Sequence, residues 1–232
     1  MLNLKFSIFF KSKAIMTVAA SISNTILFVK QKLEKAEGGH DWFHIERVYK
    51  NALLIAKEET CDIEVVALGA LLHDIADSKF HNGDESIGPQ TARTFLASEK
   101  VSEETIQHVI AIIENISYKG GNFEKKFHSK ELDIVQDADR LDALGAIGIA
   151  RTFNYGGFKN RVLHDPAIAP KTGMSKEEYK NSESPTLNHF YEKLLLLRDK
   201  MNTEAGKRIA ANRHLFMETF LSQFYEEWEG RK

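Results

Sequence analysis

The sequence is poor in the features that mark secreted, membrane-spanning and nucleic-acid-binding proteins. Its single cysteine, Cys61, excludes an intramolecular disulfide and is typical of a reducing compartment. The formal net charge is only −2, so no broad basic field predicts a nucleic acid as the main partner. Residues 14–29 carry no charge, but they are too polar and too short for a membrane-spanning helix. We therefore expect a cytoplasmic protein that binds neither nucleic acid nor a membrane.

The N-terminus has no clear targeting signal. It begins with apolar residues, but Lys11 and Lys13 interrupt them before the core of a signal peptide could form. A translation start at Met16 would make residues 1–15 an upstream extension. The chain of 232 residues is long enough for one sizeable core, and we expect residues 16–232 to form one domain.

Helical periodicity dominates the sequence, and no segment alternates with a period of two, so we predict an all-α fold. The first helix carries an apolar stripe through Ile26, Val29 and Leu33. The third is apolar almost all round, which predicts a central position. The predicted helices are one ending before Gly38-Gly39, one beginning near Asp41, one over about Asp62 to Ile75, one over Ser86 to Ser98, one over Ser102 to Asn115, an apolar stretch over Leu132 to Ala150, and one or two long amphipathic helices from Asn188 onward.

A long connection over about residues 153–186 interrupts the helical pattern. It contains Gly156-Gly157, Gly173 and several prolines. Connections of this length in a compact domain are commonly functional. Lys159 and Arg161 lie within it, and one hypothesis is that they close, together with Arg151, over a bound ligand. The C-terminal helices are expected over about residues 187–229.

The strongest chemical signal is His73-Asp74, which follows the apolar run Ala-Leu-Gly-Ala-Leu-Leu. A buried helix end would hold an imidazole and a carboxylate together, and both are ligands for mid-series divalent cations. His44 lies at the edge of the apolar stripe of the second helix, and Asp139 lies in Gln-Asp-Ala-Asp-Arg-Leu-Asp-Ala. Each of these residues alone also fits a packed, capping or solvated position, so the metal interpretation depends on the set of four.

This set resembles the signature of the HD superfamily of metal-dependent phosphohydrolases: a histidine, a His-Asp pair and a distant aspartate. The resemblance covers roughly Gly39 to Arg151 and rests on the segments Gly-His-Asp-Trp-Phe-His-Ile-Glu-Arg-Val, Leu-Leu-His-Asp-Ile-Ala-Asp-Ser-Lys, Ser-Tyr-Lys-Gly-Gly and Gln-Asp-Ala-Asp-Arg-Leu-Asp-Ala. These segments look like the bacterial branch that acts on nucleoside triphosphates as pyrophosphohydrolases. The resemblance implies a single HD-type helical bundle with a long loop insertion and C-terminal helices. It implies these metal ligands: His44, His73, Asp74 and Asp139.

Two histidines and two carboxylates form a mixed nitrogen and oxygen ligand set. Such a set suits a mid-series divalent cation better than Mg²⁺, which prefers ligands that are all oxygen. The resemblance favours Mn²⁺, with Mg²⁺, Co²⁺, Ni²⁺, Fe²⁺ and Zn²⁺ as alternatives. We expect one metal ion, because His81, His108 and His128 match no dinuclear pattern. His40-Asp41 is a second His-Asp pair, which we interpret as structural, with Asp41 as the N-cap of the second helix.

Further site residues follow from their positions beside the motifs. Similar HD hydrolases keep an acidic residue near the nucleophilic water at the position of Asp77. The resemblance therefore implies an acid/base role for Asp77, and Asp74 is the other residue assigned to catalysis. Tyr118 is a candidate for stacking on a base. The cations next to the motifs are candidates for phosphate binding: Arg47, Lys79, Lys119, Arg140 and Arg151. Each also fits an exposed or ion-paired position, and Asp137 and Asp142 fit solvated helix positions.

The expected reaction is hydrolysis of a nucleoside triphosphate to a monophosphate and pyrophosphate through a metal-activated water. The same fold could instead act as a phosphomonoesterase or a cyclic-nucleotide phosphodiesterase. A di-iron oxygenase variant and a non-catalytic nucleotide-binding module also stay open. The expected partner is a small phosphorylated molecule, a nucleotide. Apolar C-terminal residues are sufficient for a core or for a homodimer interface, so the oligomeric state is open.

Overall fold

The computed structural model describes residues 18–34, 41–76, 84, 86–116, 127–171, 173–174, 178 and 182–232, and helices are its only regular secondary structure there. No strand occurs in these ranges, so the predicted all-α class is confirmed. The helices are α1 (residues 18–32), α2 (Trp42–Ala56), α3 (Ile63–Leu72), α4 (Ile87–Ser98), α5 (Glu103–Asn115), α6 (Lys130–Asp142), α7 (Gly145–Phe158), α8 (Asn188–Glu192), a 3₁₀ helix (Leu194–Lys200) and α9 (Glu204–Trp228).

The chain divides into two compact units. The first comprises Met1–Ser117 and Lys125–Val135, and the second comprises Tyr118–Glu124 and Gln136–Lys232. The first half of α6 belongs to the first unit and its second half to the second unit. The domain limits expected from the sequence stay a prediction.

Helix α3 forms the centre of the first unit. Its residues from Val65 to Leu72 are all buried, as expected for a helix that is apolar on every side. It packs against α2 and α5, and α5 packs against α4. A Cβ atom at Gly69 would lie 3.2 Å from Cδ1 of Ile112, so the glycine allows α3 and α5 to approach closely. Each buried leucine of α3 contributes about 1.5–3 kcal/mol by leaving water.

Side-chain caps define where three of these helices begin. The Asp41 carboxylate accepts from the backbone N–H of His44 at 2.9 Å, which confirms its predicted capping role. Asp62 caps α3 by accepting from the second and third residues of that helix. The Ser102 hydroxyl accepts from the backbone N–H of Thr105 at 3.1 Å and caps α5. These boundaries were predictable because capping depends on local sequence.

Helix α1 buries two hydroxyl residues in addition to Val29 of the predicted stripe. Its buried residues are Ser21, Thr25 and Val29, whereas Ile26 is only half-buried. The two hydroxyl residues can be buried because each donates to a carbonyl of its own helix, Ser21 to Val18 at 2.9 Å and Thr25 to Ser21 at 2.7 Å. Apolar periodicity alone could not identify this face.

The apolar stretch predicted over Leu132 to Ala150 is two helices. Helix α6 ends at Asp142, and α7 begins at Gly145. Gly145 has a φ of 70°, a left-handed conformation that favours glycine, and its backbone lies against the Arg213 side chain. The chain therefore turns at this glycine, and the two helices are separate elements.

The long connection is shorter than predicted, because α7 continues to Phe158 instead of ending before residue 153. Phe153 is held in the helix by ring contacts with Phe190, Phe220 and Phe224. Gly156 was predicted to lie in the loop, but it is a helical residue, at which a Cβ atom would collide with the Thr186 side chain. Packing against residues distant in sequence therefore overrides the local glycine signal.

The C-terminal region contains one long helix and not two. Helix α8 has only five residues and is followed by the seven-residue 3₁₀ helix, because Lys193 between them leaves the helical conformation. Helix α9 spans 25 residues and packs against α7 and the 3₁₀ helix. Thr203 caps α9 by accepting from the backbone N–H of Gly206 at 3.0 Å. Among the described residues, no helix is both long and apolar enough to cross a membrane.

Candidate metal centre

Helix α2 positions His44 through its first turn. The Asp41 cap holds the backbone N–H of His44, and the next residue, Ile45, is fully buried in the core. His44 is itself only 3% exposed. An imidazole at the edge of an apolar stripe is therefore held on the inner side of α2, as the sequence predicted. A neutral imidazole is the form that binds a metal.

The end of α3 positions His73. It occupies the C-cap, directly after the buried run that ends at Leu72. Its Nδ1 atom lies 2.9 Å from the carbonyl oxygen of Ala70. Because a carbonyl can only accept, Nδ1 is the donor in this contact, and in the neutral ring Nε2 is then the atom with the lone pair. This contact orients the ring and leaves Nε2 as the ligand atom, as carbonyl partners do for metal-binding histidines.

Three of the four predicted metal ligands lie together. The ligand atoms of His44, His73 and Asp139 are all within 4.8 Å of one another. The two imidazole rings meet edge to face, with centroids 5.4 Å apart. Two atoms bound to one ion at about 2.1 Å are separated by roughly 3–4 Å. The three donors can therefore reach a common cation.

Asp74 does not belong to this three-residue group. It is half-buried and follows His73 in the turn after α3. Its role as the fourth ligand stays a prediction. Four other predicted site residues lie outside the described residues: Asp77, Lys79, Tyr118 and Lys119. His40, the other half of the second His-Asp pair, also lies outside them.

Arg47 and Arg140 occupy different environments. Arg47 lies on α2, three residues beyond His44, and is half-buried. Residues at this spacing share a helix face, which is compatible with the predicted phosphate-binding role. Arg140 instead donates to the backbone carbonyl of Lys200 at 2.6 Å and lies 3.4 Å from the carboxylate of Asp137. A phosphate at Arg140 would therefore share the guanidinium with protein groups.

Arg151 is also engaged by protein groups. Its guanidinium donates to the Asp142 carboxylate at 2.6 Å and to the Asp142 carbonyl at 3.2 Å. Asp142 is only 1% exposed, whereas the Arg151 side chain is 32% exposed, so a buried carboxylate at the C-terminus of α6 pairs with a half-buried guanidinium. Arg213 donates to the Leu141 carbonyl at 2.5 Å, one residue earlier. The two arginines thus satisfy carbonyls that the end of a helix leaves unpaired. These contacts give Arg151 a structural role.

The solvated positions considered for Asp137 and Asp142 are wrong, because the two residues are 0% and 1% exposed. Burial raises the pKa of the Asp137 carboxyl, and hydrogen bonds from Thr203 and Asn202 act in the opposite direction. Sequence reasoning therefore missed two structural carboxylates beside Asp139. The available signal was the helical spacing of Asp137 from Ile134 and Leu141, which places it on an apolar face, where a buried carboxylate needs a partner.

The other described histidines weighed for a second metal have different partners. His108 lies 2.9 Å from the Ser129 hydroxyl and 3.4 Å from the Glu131 carboxylate. His128 lies 3.2 Å from the Asp133 carboxylate. Both pairs hold the first turn of α6 or the residues just before it. His81 lies outside the described residues.

Comparison with known proteins identifies the class. The HD domain family profile matches residues 42–144, a range that includes all four predicted metal ligands. The chain belongs to the HD superfamily, as the sequence motifs predicted. The expectation that the chain is a hydrolase of the HD superfamily is supported.

Individual relatives cover almost the whole chain. The uncharacterized protein YpgQ of Bacillus subtilis is 34% identical over 211 residues, which are 88% of this chain and 91% of YpgQ. The crystal structure of an HD-superfamily hydrolase from Bacillus thuringiensis is similar with a TM-score of 0.75 at 45% identity, over 91% of this chain and 98% of that chain. The crystal structure of YpgQ in complex with ADP is similar with a TM-score of 0.73 at 31% identity, over 91% of this chain and 96% of that chain.

Proposed function

We propose that this chain hydrolyses a nucleoside triphosphate between its α and β phosphates, releasing a nucleoside monophosphate and pyrophosphate. Water adds across the Pα–O–Pβ linkage, so the reaction needs no other co-reactant. The observation that carries the proposal is the convergence of His44, His73 and Asp139 in a chain of the HD superfamily. Two imidazoles and a carboxylate form a donor set suited to a divalent cation.

The proposed cofactor is one divalent cation, Mn²⁺ by preference, held by His44, His73, Asp74 and Asp139. When bound, such an ion lowers the pKa of its water and neutralises charge on phosphoryl oxygens. The residues fit this ion, because the His73–Ala70 contact uses Nδ1 and so makes Nε2 of the neutral ring the atom that can bind it. The preceding apolar helix fixes the position of that ring.

The proposed substrate class is supported by a relative. The YpgQ structure contains ADP, a molecule that retains the α–β phosphate linkage. This chain is 31% identical to YpgQ over almost the full length of both chains. We therefore propose that a nucleotide also binds to this chain, with its phosphates near the metal ligands.

Protein groups near the phosphates would complete the site. Asp77 is proposed as the acid/base group that accepts the proton of the attacking water, beside Asp74. Arg47 is proposed to bind a phosphate, because it shares a helix face with His44. The resemblance supports the same role for Lys79 and Lys119, and base stacking for Tyr118. Arg140 and Arg151 stay candidates, although both already bond to protein groups.

Product analysis with a nucleotide panel tests this proposal. The purified chain would be incubated with ribo- and deoxyribonucleoside triphosphates, a cyclic nucleotide and a phosphomonoester, each with Mn²⁺ or with Mg²⁺. We expect monophosphate and pyrophosphate in equal amounts from at least one triphosphate. Release of orthophosphate from the monoester alone would replace the proposed reaction with phosphomonoesterase activity. A product from the cyclic nucleotide alone would replace it with phosphodiesterase activity.

Matched aspartate variants locate the reaction at the proposed site. Asp139→Asn and Asp74→Asn should abolish both Mn²⁺ binding and turnover, because an amide lacks the anionic ligand oxygen. Asp199→Asn is the control, since the side chain of Asp199 is 73% exposed and pairs only with its neighbour Arg198 among the contacts of the described residues. Full activity in Asp139→Asn would refute the assignment of the centre.

A further inference from the structure

A buried carboxylate lies two residues before Asp139 on α6. We propose that Asp137 is a positioning residue, which sets the rotation of the second half of α6 and thereby the place of the Asp139 carboxylate. This inference rests on the proposed metal-dependent function. Asp137 is fully buried. None of its hydrogen-bond partners described below is a proposed metal ligand.

The Asp137 carboxylate is bonded on both oxygens by the residues that open α9. The backbone N–H of Asn202 donates to Oδ1 at 2.9 Å and to Oδ2 at 3.0 Å, and its side-chain amide donates to Oδ1 at 3.1 Å. The backbone N–H and the hydroxyl of Thr203 each donate to Oδ2 at 2.8 Å. Arg140 adds a contact to Oδ1 at 3.4 Å.

The backbone of α9 approaches Asp137 so closely that only glycine fits. A Cβ atom at Gly206 would collide with Oδ2 of Asp137 and with the Thr203 hydroxyl. The first turn of α9 also presents the positive end of the helix dipole to the carboxylate. A carboxylate held by five donors and enclosed by backbone has little room to move. The second half of α6 is therefore fixed at this point.

Because Asp137 and Asp139 lie on the same helix, a rotation of α6 at Asp137 also moves the Asp139 carboxylate. Successive residues are about 100° apart around a helix, so Asp137 and Asp139 point roughly 200° apart, to nearly opposite sides. A side-chain atom lies about 5–6 Å from the helix axis. A rotation of about 2° therefore moves a carboxylate oxygen by roughly 0.2 Å, the tolerance of a metal–ligand distance. A small loss of anchoring is enough to disturb a ligand.

Metal affinity distinguishes positioning from a general contribution to stability. In Asp137→Asn the shape is kept, but an amide NH₂ would face the N–H donors of Asn202 and Thr203. We expect the Mn²⁺ dissociation constant to rise by about 10- to 100-fold, as for other residues that orient metal ligands. Thr203→Val removes one donor to Asp137 and should raise the constant in the same direction.

The control is Ser102→Ala, which removes the cap of α5 and lowers the melting temperature without touching α6. Mn²⁺ binding would be measured by calorimetry well below the melting temperature of each variant, with folding checked by circular dichroism. We expect wild-type affinity in Ser102→Ala and weakened affinity in Asp137→Asn. If Asp137→Asn does not fold, Thr203→Val decides the question.

The outcomes separate this inference from the proposed function. If the wild type binds no Mn²⁺, the proposed metal centre is wrong and the positioning role falls with it. If the wild type binds Mn²⁺ and Asp139→Asn does not, the centre stands. Wild-type affinity in folded Asp137→Asn, or in Thr203→Val where that variant decides, would then overturn the positioning role alone. An equal loss in Ser102→Ala would likewise assign the effect to stability.

Discussion

Protonation of His189 is expected to destabilise the protein in mildly acidic solution. Burial is the main cause that lowers the pKa of this imidazole from 6.5 to about 4, and the positive charges of Lys193 and Arg161 act in the same direction. His189 lies in α8, next to the fully buried Phe190. In the folded protein the ring is therefore neutral at pH values where an unfolded chain already binds a proton.

The sign and size follow from the two pKa values. Between about pH 6.5 and pH 4 the unfolded state binds a proton that the folded state does not, so stability rises with pH in this window. Each pKa unit corresponds to about 1.4 kcal/mol, so the free energy of unfolding should fall by about 3 kcal/mol as the pH decreases through the window. Above it, this contribution is fully present.

A variant without the titrating ring isolates the effect from that of other groups. His189→Gln keeps a polar side chain of similar reach but cannot bind a proton in this range. Urea denaturation of both proteins would be measured at several pH values. The stability of the wild type relative to the variant should fall by about 2 kcal/mol between about pH 7 and pH 5. A difference that stays constant over this interval would refute the reasoning.

Two further predictions concern the second unit. Gly156→Ala should destabilise it by about 1–3 kcal/mol, because the added Cβ collides with the Thr186 side chain, whereas Gly157→Ala, where a Cβ meets nothing within 4 Å, should stabilise α7 by up to about 1 kcal/mol. Urea denaturation of the two variants checks the opposite signs. Arg151→Ala should cost about 1–3 kcal/mol, because it removes a guanidinium donor from the buried Asp142 carboxylate. An unchanged melting temperature with a raised KM would instead assign Arg151 to substrate binding.

Local signals accounted for much of the fold. The apolar run of α3 predicted a buried central helix, and caps such as Asp41 and Ser102 predicted where helices begin. Such signals succeed because both are local. A cap bonds to a backbone group three residues away, and an apolar stripe is a pattern within one helix. The break at Gly145 and the short α8 were missed, because they depend on contacts with other elements.

The metal centre was predicted more completely than its surroundings. The motif residues His44, His73 and Asp139 were recognisable as a set, and their ligand atoms lie together. The orientation of the His73 ring was not predictable, since it follows from a contact with the Ala70 carbonyl at the end of α3. Arg151 was predicted to bind substrate, but its guanidinium is bonded to Asp142, a buried residue for which a solvated position was considered.

The sequence by itself determined the superfamily, the helical class and the residue types that can hold a divalent cation, because these follow from motifs and from patterns within single helices. Only the tertiary structure decided which charged residues around Asp139 are buried and what they bind. Asp137 shows the reason, since its partner Asn202 is 65 residues away in the chain. From the sequence alone, a carboxylate in a helix is interpreted as solvated, because the pattern does not show which distant residues donate hydrogen bonds to it. Only the folded chain places Asn202 and Thr203 next to the Asp137 carboxylate.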